Sequence, residues 1–319
     1  MFINDTAIQI LKAKGYKDAS VKTINYNIQR IFRDVFPGKE YNSLRFNKDA
    51  QKIIDKLQTY PEKQQKQYIY AVKLIYDNLD QKFKTETVTK LYNDYYEQVS
   101  ENYTNLLTMQ QPTGQQVARF VTLDEINQVY DHYKTIYEVN KITGDENYSD
   151  DMKYLIISLY TYIPPVRPQT YYNTTFEEYQ DQYPELNIID LDTKTILIKS
   201  GKTLKAGKVS ILPIPMNVIE LIEYIKNKYN TKYLLTKLGN VNEPLSHQNF
   251  SSIFSRMFFD VIGREISPNN IRNSFVSNLI DTVGLETTPE RKRIAKILGH
   301  SINTQNNVYS KYSNRIHGK

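Results

Sequence analysis

The stretch IAKILGHSINTQNNVYSKY, residues 294–312, carries three chemically distinctive features in close order. Leu298 and Gly299 stand near the end of a helix that opens after Thr288-Pro289, a hydroxyl cap followed by Pro at the first helical position. His300 comes next, where a cation suits the helix dipole. Tyr309 follows His300 by nine residues, and Tyr312 lies one helical turn beyond it. Upstream, SPNNIRNSFVSNLI at 267–280 repeats the cap-and-Pro start with Ser267-Pro268 and carries Arg272. Further upstream, LIKSGKTLKAGKVSILPIP at 197–215 sets Lys202, Lys205 and Lys208 around two glycines. IPPVRPQTYYN at 163–173 places Arg167 in a polar, proline-rich turn.

Around these stretches the pattern predicts mostly helices. Thr122 and Glu125 form a capping-box pair that starts DEINQVYDHYKTIYEV. Helices are also expected at NVIELIEYIKNKY and HQNFSSIFSRMFFDVI, with His247 read as a capping or surface residue. LNIIDL, TILIKS and KVSILPIP are short β-branched runs separated by turn residues, and they predict three buried antiparallel strands. The Tyr171-Tyr172 pair is expected in the core. The fold class is therefore mainly α with a small antiparallel β-sheet, α+β.

Residues 1–101 read as helical. Val21, Ile24, Ile28, Ile31, Phe32 and Val35 keep a 3.6-residue period after Ser20, and Pro37-Gly38 ends that helix. A second helix covers Asp49 to Leu57. Thr59 and Glu62 predict a capping box that opens QQKQYIYAVKLIYDNL, and a further helix lies near Val88 to Val99. Residues 102–118 carry no charge, are rich in Asn, Gln and Thr, and contain Pro112 and Gly114. They read as a linker between a first domain, 1–101, and a second, 119–319.

Composition narrows the function classes. The 319 residues suffice for a sizeable core, and 40% are hydrophobic. No apolar run approaches the roughly 18–20 residues that span a bilayer, and the N-terminus MFINDTAIQILKAKGY lacks a signal-peptide pattern. Cys is absent and His numbers four, which argues against thiolate or His-rich metal sites. The net charge of +6 suits a polyanionic partner, and residues 1–115 hold 17 Lys+Arg against 13 Asp+Glu. The 27 Tyr, with frequent Asn and Lys, suggest an AT-rich coding bias, so no single Tyr is special by its type alone.

In chain order, Arg167, Lys202-Thr203, Arg272, Leu298-Gly299-His300 and Tyr309 resemble the motif set of the tyrosine recombinase (phage-type integrase) family. The resemblance covers about residues 119–319, and the helical N-terminal part is similar in pattern to that family's core-binding domain. It implies a site-specific recombinase or integrase that cleaves and rejoins DNA through a covalent 3′-phosphotyrosine, with no metal, ATP or other cofactor. It further implies double-stranded DNA as partner, a homotetramer on DNA, DNA-bending accessory proteins and no membrane association. The setting would be intracellular, wherever the target DNA of a virus or mobile element resides.

On this pattern Arg167 and Arg272 clamp phosphate oxygens, since Arg forks bind them bidentately and stay charged. The nine-residue spacing favours Tyr309 over Tyr312 as nucleophile. Lys202 protonates the leaving 5′-oxygen, with Lys205 and Lys208 as rivals. His300 contacts a phosphate oxygen or shares proton transfer. Asn269 stands where the family has His, and Asn cannot act as a base near neutral pH. The family's acidic residue after the first Arg is replaced by Pro-Gln-Thr. Two other readings stay open: a type IB topoisomerase-like DNA relaxase, and a catalytically impaired DNA-binding protein.

Overall fold

The computed structural model describes residues 8, 11–16, 18–108, 114–145, 147–199, 209–283 and 288–306. The chain divides into two compact units, Met1–Met109 and Gln110–Lys319.

The first unit is helical. Helix α1 (Asp18–Val35) buries the six apolar residues named above and stops at Pro37-Gly38, with Gly38 at φ 73°. The short α2 (Arg45–Lys48) leads into α3 (Ala50–Leu57), and α4 (Glu62–Asp77) and α5 (Glu86–Thr108) complete the unit. The capping box expected at Thr59 does not form. The Thr59 hydroxyl instead donates to Lys56 O, and Pro61 occupies the cap. Pro disfavours the helical region for the residue before it, so the helix cannot begin until Pro61 is passed. Several of the tyrosines are core residues here. Tyr76 and Tyr92 are buried, with hydroxyls donating to Thr85 O at 3.0 Å and Phe46 O at 2.6 Å.

Residues 102–108, expected in a linker, continue helix α5. A lack of charge does not break a helix, and no Pro or Gly falls before Pro112. Residues 109–113 lie outside the described residues, and α6 (Gly114–Ala118) follows.

In the second unit Thr122 caps α7 (Leu123–Thr143), and both hydrogen bonds of the box with Glu125 are present. Helix α8 (Tyr148–Tyr162) is buried from Leu155 to Tyr160, as a helix apolar on all sides must be. Pro164, Pro165 and Pro168 then keep the chain from continuing as helix, so Arg167 stands in the connection to the short α9 (Gln169–Tyr172). Tyr171 is fully buried and Tyr172 half-buried.

The sheet has four strands rather than three: β1 (Thr174–Phe176), β2 (Asn187–Asp190), β3 (Thr195–Ile198) and β4 (Ser210–Pro213), in that order. β1 runs parallel to β2, and the other pairs are antiparallel. Ile189, Ile196 and Leu212 face the core, whereas Ile211 is 62% exposed. The expectation of a buried VSILPI strand therefore holds only at alternate positions, because β4 is an edge strand with one face outward.

Helix α10 (Met216–Tyr229) precedes a small hairpin of β5 (Thr236–Lys237) and β6 (Asn240–Pro244). Then come α11 (His247–Ile262), capped by Ser246, and α12 (Pro268–Val283) and α13 (Pro289–Leu298). His247 is an exposed residue in the first turn of α11.

Three contacts, one from α12 and two from the connection before it, hold this part of the chain. The Ser274 hydroxyl donates to Val121 O, and Arg264 holds Phe120 O at 2.8 Å and pairs with Glu125. Val276 and Ile280 of α12 pack on Ile294 and Leu298 of α13 in a separate apolar cluster. Among the described residues no helix is long and apolar enough to cross a membrane, and no cluster of three or more His, Cys, Asp or Glu could hold a metal ion.

Candidate active site

The last turn of α13 gathers three of the expected residues. Gly299 takes a left-handed conformation (φ 68°), and His300 N–H returns to Ala295 O at 3.0 Å, the closure of a Schellman motif. Such an end leaves later carbonyls outside the helix ladder, carrying the partial negative charge of a helix C-terminus. Both arginines dock there. Arg272 Nη2 donates to Leu298 O at 2.9 Å, and Arg167 Nη2 to Gly299 O at 3.4 Å. Arg272 Nη1 also donates to Pro165 O at 3.1 Å, which ties the proline turn holding Arg167 to α12. Arg272 is fully buried and Arg167 half-buried. A buried cation is tolerable only with such partners.

His300 follows directly and is half-buried. Its Nδ1 lies 3.3 Å from Ser301 O, and a carbonyl can only accept, so Nδ1 carries the proton and Nε2 is the acceptor nitrogen of the neutral ring. Burial, and then the nearby charge of Arg272 and Arg167, pull the His300 pKa down to about 4, against the opposing Ser301 hydrogen bond. An unfolded His titrates near about 6.5. The stability held by the neutral folded ring is thus complete above that value and is lost as the pH falls through 4. We expect the His300 ring, followed by NMR without DNA, to stay neutral down to about pH 5. A bound phosphodiester would offset the two guanidinium charges and raise the pKa. Titration near 6.5 in the free protein would contradict this electrostatic picture.

Asn269 sits in the first turn of α12, one turn before Arg272. It is exposed, and its side chain makes no hydrogen bond among the described residues. Asn270 Oδ1, not Asn269, reaches back to Ser267 N at 2.8 Å. Lys202, with its rivals Lys205 and Lys208, lies outside the described residues, as do Tyr309 and Tyr312. The strands flanking the Lys202 segment, β3 and β4, pair antiparallel up to Ile198 and Ser210.

One residue of this region escaped the reading from sequence. Arg291 in the first turn of α13 is fully buried, and its Nη2 donates to Gln305 Oε1 at 3.4 Å and to Asn306 Oδ1. A signal existed in PERKRIAKIL. Arg291, Ile294, Ala295 and Leu298 share one helical face, so Arg291 is the basic residue on the apolar stripe, while Lys292, Arg293 and Lys296 are exposed.

The chain matches no protein-family model and no curated protein. Among solved structures it is similar to a XerA recombinase, at 12% identity and a TM-score of 0.44, covering 98% of this chain and 94% of that one. It is also similar to the integrase from mycobacterium phage Brujita, at 11% identity and a TM-score of 0.35, covering 98% of this chain and 90% of that one.

Proposed function

We propose that this protein is a site-specific DNA recombinase or integrase that cleaves and rejoins strands through a covalent 3′-phosphotyrosine. The observation that carries the reading is the meeting of Arg167, Arg272 and His300 at one helix end. A bare helix C-terminus repels anions, but two guanidinium groups reverse the local sign. Each guanidinium has five donors in a rigid fork, enough to hold a carbonyl and address a phosphate oxygen as well. A neutral imidazole with an acceptor Nε2 stands beside them.

In this mechanism Tyr309 Oη attacks phosphorus. The O–P bond to tyrosine forms, the P–O5′ bond breaks, and the arginines neutralise charge on the non-bridging oxygens. The phenol proton passes to His300 Nε2, and Lys202 gives a proton to the leaving 5′-oxygen. The phosphotyrosyl bond keeps the phosphodiester's energy, so rejoining is the reverse attack by a 5′-hydroxyl and needs neither ATP nor metal. The helical residues 1–101 serve as a DNA-binding domain through phosphate contacts, and the catalytic domain spans 119–319. Four protomers on two duplexes, aided by DNA-bending proteins, would serve integration, excision or resolution of a viral or mobile element inside the cell.

A nicked suicide substrate tests the reading, because loss of the short 5′-hydroxyl fragment traps the intermediate. A protein–DNA adduct stable to denaturation is expected without metal or ATP. Specific DNA binding with no adduct would instead make the chain a catalytically impaired DNA-binding protein. Asn269→His adds a second check. With an imidazole at this exposed place on the first turn of α12, cleavage should speed up by about tenfold, a small part of what acid–base groups supply. An unchanged rate would show that this position does not limit proton transfer.

A further inference from the structure

We infer that Arg291 is a positioning residue for strand cleavage, acting through a clasp on Gln305 and Asn306 that sets where the Tyr309-bearing segment leaves helix α13. The inference rests on the strand-transfer reading above and gives it a device absent from the motif set.

The observations converge on residues 301–306. After His300, Ser301 caps a single turn over Ile302–Thr304, its hydroxyl accepting from Thr304 N at 3.1 Å. Ser301 O accepts from Gln305 N at 3.0 Å and also faces His300 Nδ1, so this turn is joined to the imidazole. At its far side Gln305 is fully buried, and Arg291 holds the amide oxygens of both Gln305 and Asn306. The same helix α13 receives Arg167 and Arg272 at its C-terminal carbonyls. One rigid element thus registers the phosphate clamp at its end and the outgoing chain on its buried face.

Chain length makes this matter. Tyr309 follows Asn306 by three residues, which at full extension span no more than about 10–11 Å. Fixing residue 306 anchors the chain three residues before Tyr309, and reacting atoms must come within about 3–3.5 Å in line. The position also asks for an explanation. An apolar side chain on the stripe with Ile294, Ala295 and Leu298 would avoid the cost of burying a cation, which here depresses the Arg291 pKa.

The test uses the full chain with Arg291→Leu, Asn306→Ala and the double variant. Leu continues the apolar stripe but takes the Arg291 donor from the buried Gln305 Oε1, a destabilising loss, whereas Asn306→Ala leaves Arg291 bound to Gln305 and so separates position from stability. Single-turnover cleavage of the suicide substrate is read beside DNA affinity and the melting temperature. We expect cleavage to fall by about 10- to 100-fold in each single variant, the scale of a misplacement of about 1 Å. DNA affinity should stay within about twofold, and the double variant should be no slower than the worse single one, since both break the same clasp. Wild-type-like or faster cleavage by Asn306→Ala, or a loss that follows affinity or melting temperature, would overturn the positioning role. If wild-type protein forms no adduct at all, the strand-transfer reading itself falls.

Discussion

Arg272→Ala is expected to slow strand cleavage by about a thousandfold or more, the largest effect of any single arginine in the chain. Removing one preorganised donor from a transition-state anion costs about 10²–10³ in rate, and a transition-state arginine in phosphoryl transfer is worth about 10³–10⁵. Arg272 is fully buried, so its field on the phosphate of the proposed reaction would be weakly screened, and after burial its charge is the next cause that lowers the His300 pKa. The substitution has a second consequence. Leu298 O and Pro165 O each lose a donor, and an unsatisfied buried carbonyl costs about 1–3 kcal/mol. A fall in melting temperature should therefore accompany the kinetic loss. Arg272→Lys separates the two effects by keeping the charge and losing the fork, and about a hundredfold slower cleavage is expected. Single-turnover rates at saturating protein measure this directly. An Arg272→Ala variant that binds DNA and cleaves within tenfold of wild type would remove the guanidinium from the chemistry.

Tyr309→Phe is expected to abolish the covalent adduct altogether. Phe keeps the ring but has no oxygen to attack phosphorus, so cleavage should fall to the uncatalysed background while DNA affinity stays within about twofold of wild type. Tyr312→Phe is the matched control, since it removes the same group three residues away, and it should leave cleavage within several-fold of wild type. Loss of the adduct in Tyr312→Phe, with retention in Tyr309→Phe, would transfer the nucleophile to Tyr312.

Local signals were the legible ones. The Thr122–Glu125 box, the Pro268 and Pro289 helix starts and the apolar period of α1 all depend on residues within one turn of each other, and each stands as read. The Thr59–Glu62 pair has the same spacing but encloses Pro61, whose steric effect on Tyr60 outweighs the cap. The strand at Thr174–Phe176 is three residues long, too short for an alternating pattern, and owes its place to pairing with Asn187–Ile189. Residues 102–108, part of the stretch read as a linker from its composition, Pro112 and Gly114, are helical, because an uncharged Asn- and Thr-containing run can still extend a helix.

The site divides in the same way. Arg167, Arg272 and His300 stand out in the sequence through their resemblance to a family's motif order, but the docking of both arginines on the Leu298 and Gly299 carbonyls beside His300 depends on tertiary contacts. No spacing rule could supply that. Arg291 shows the reverse case. Its helical face marked it as buried, yet a basic residue among Lys292 and Arg293 is easily read as part of a solvated charge run.

The most direct measurement is to trap the adduct on a nicked suicide substrate, digest it with trypsin and sequence the nucleotide-bearing peptide. Lys296, Lys311 and Arg315 separate ILGHSINTQNNVYSK, residues 297–311, from YSNR, residues 312–315, so the two candidate tyrosines fall on different peptides. The 3′-phosphoryl DNA is expected on the first peptide, at Tyr309. An adduct on the second peptide, on another residue, or no adduct from protein that binds the DNA would contradict the assignment of Tyr309 as the nucleophile.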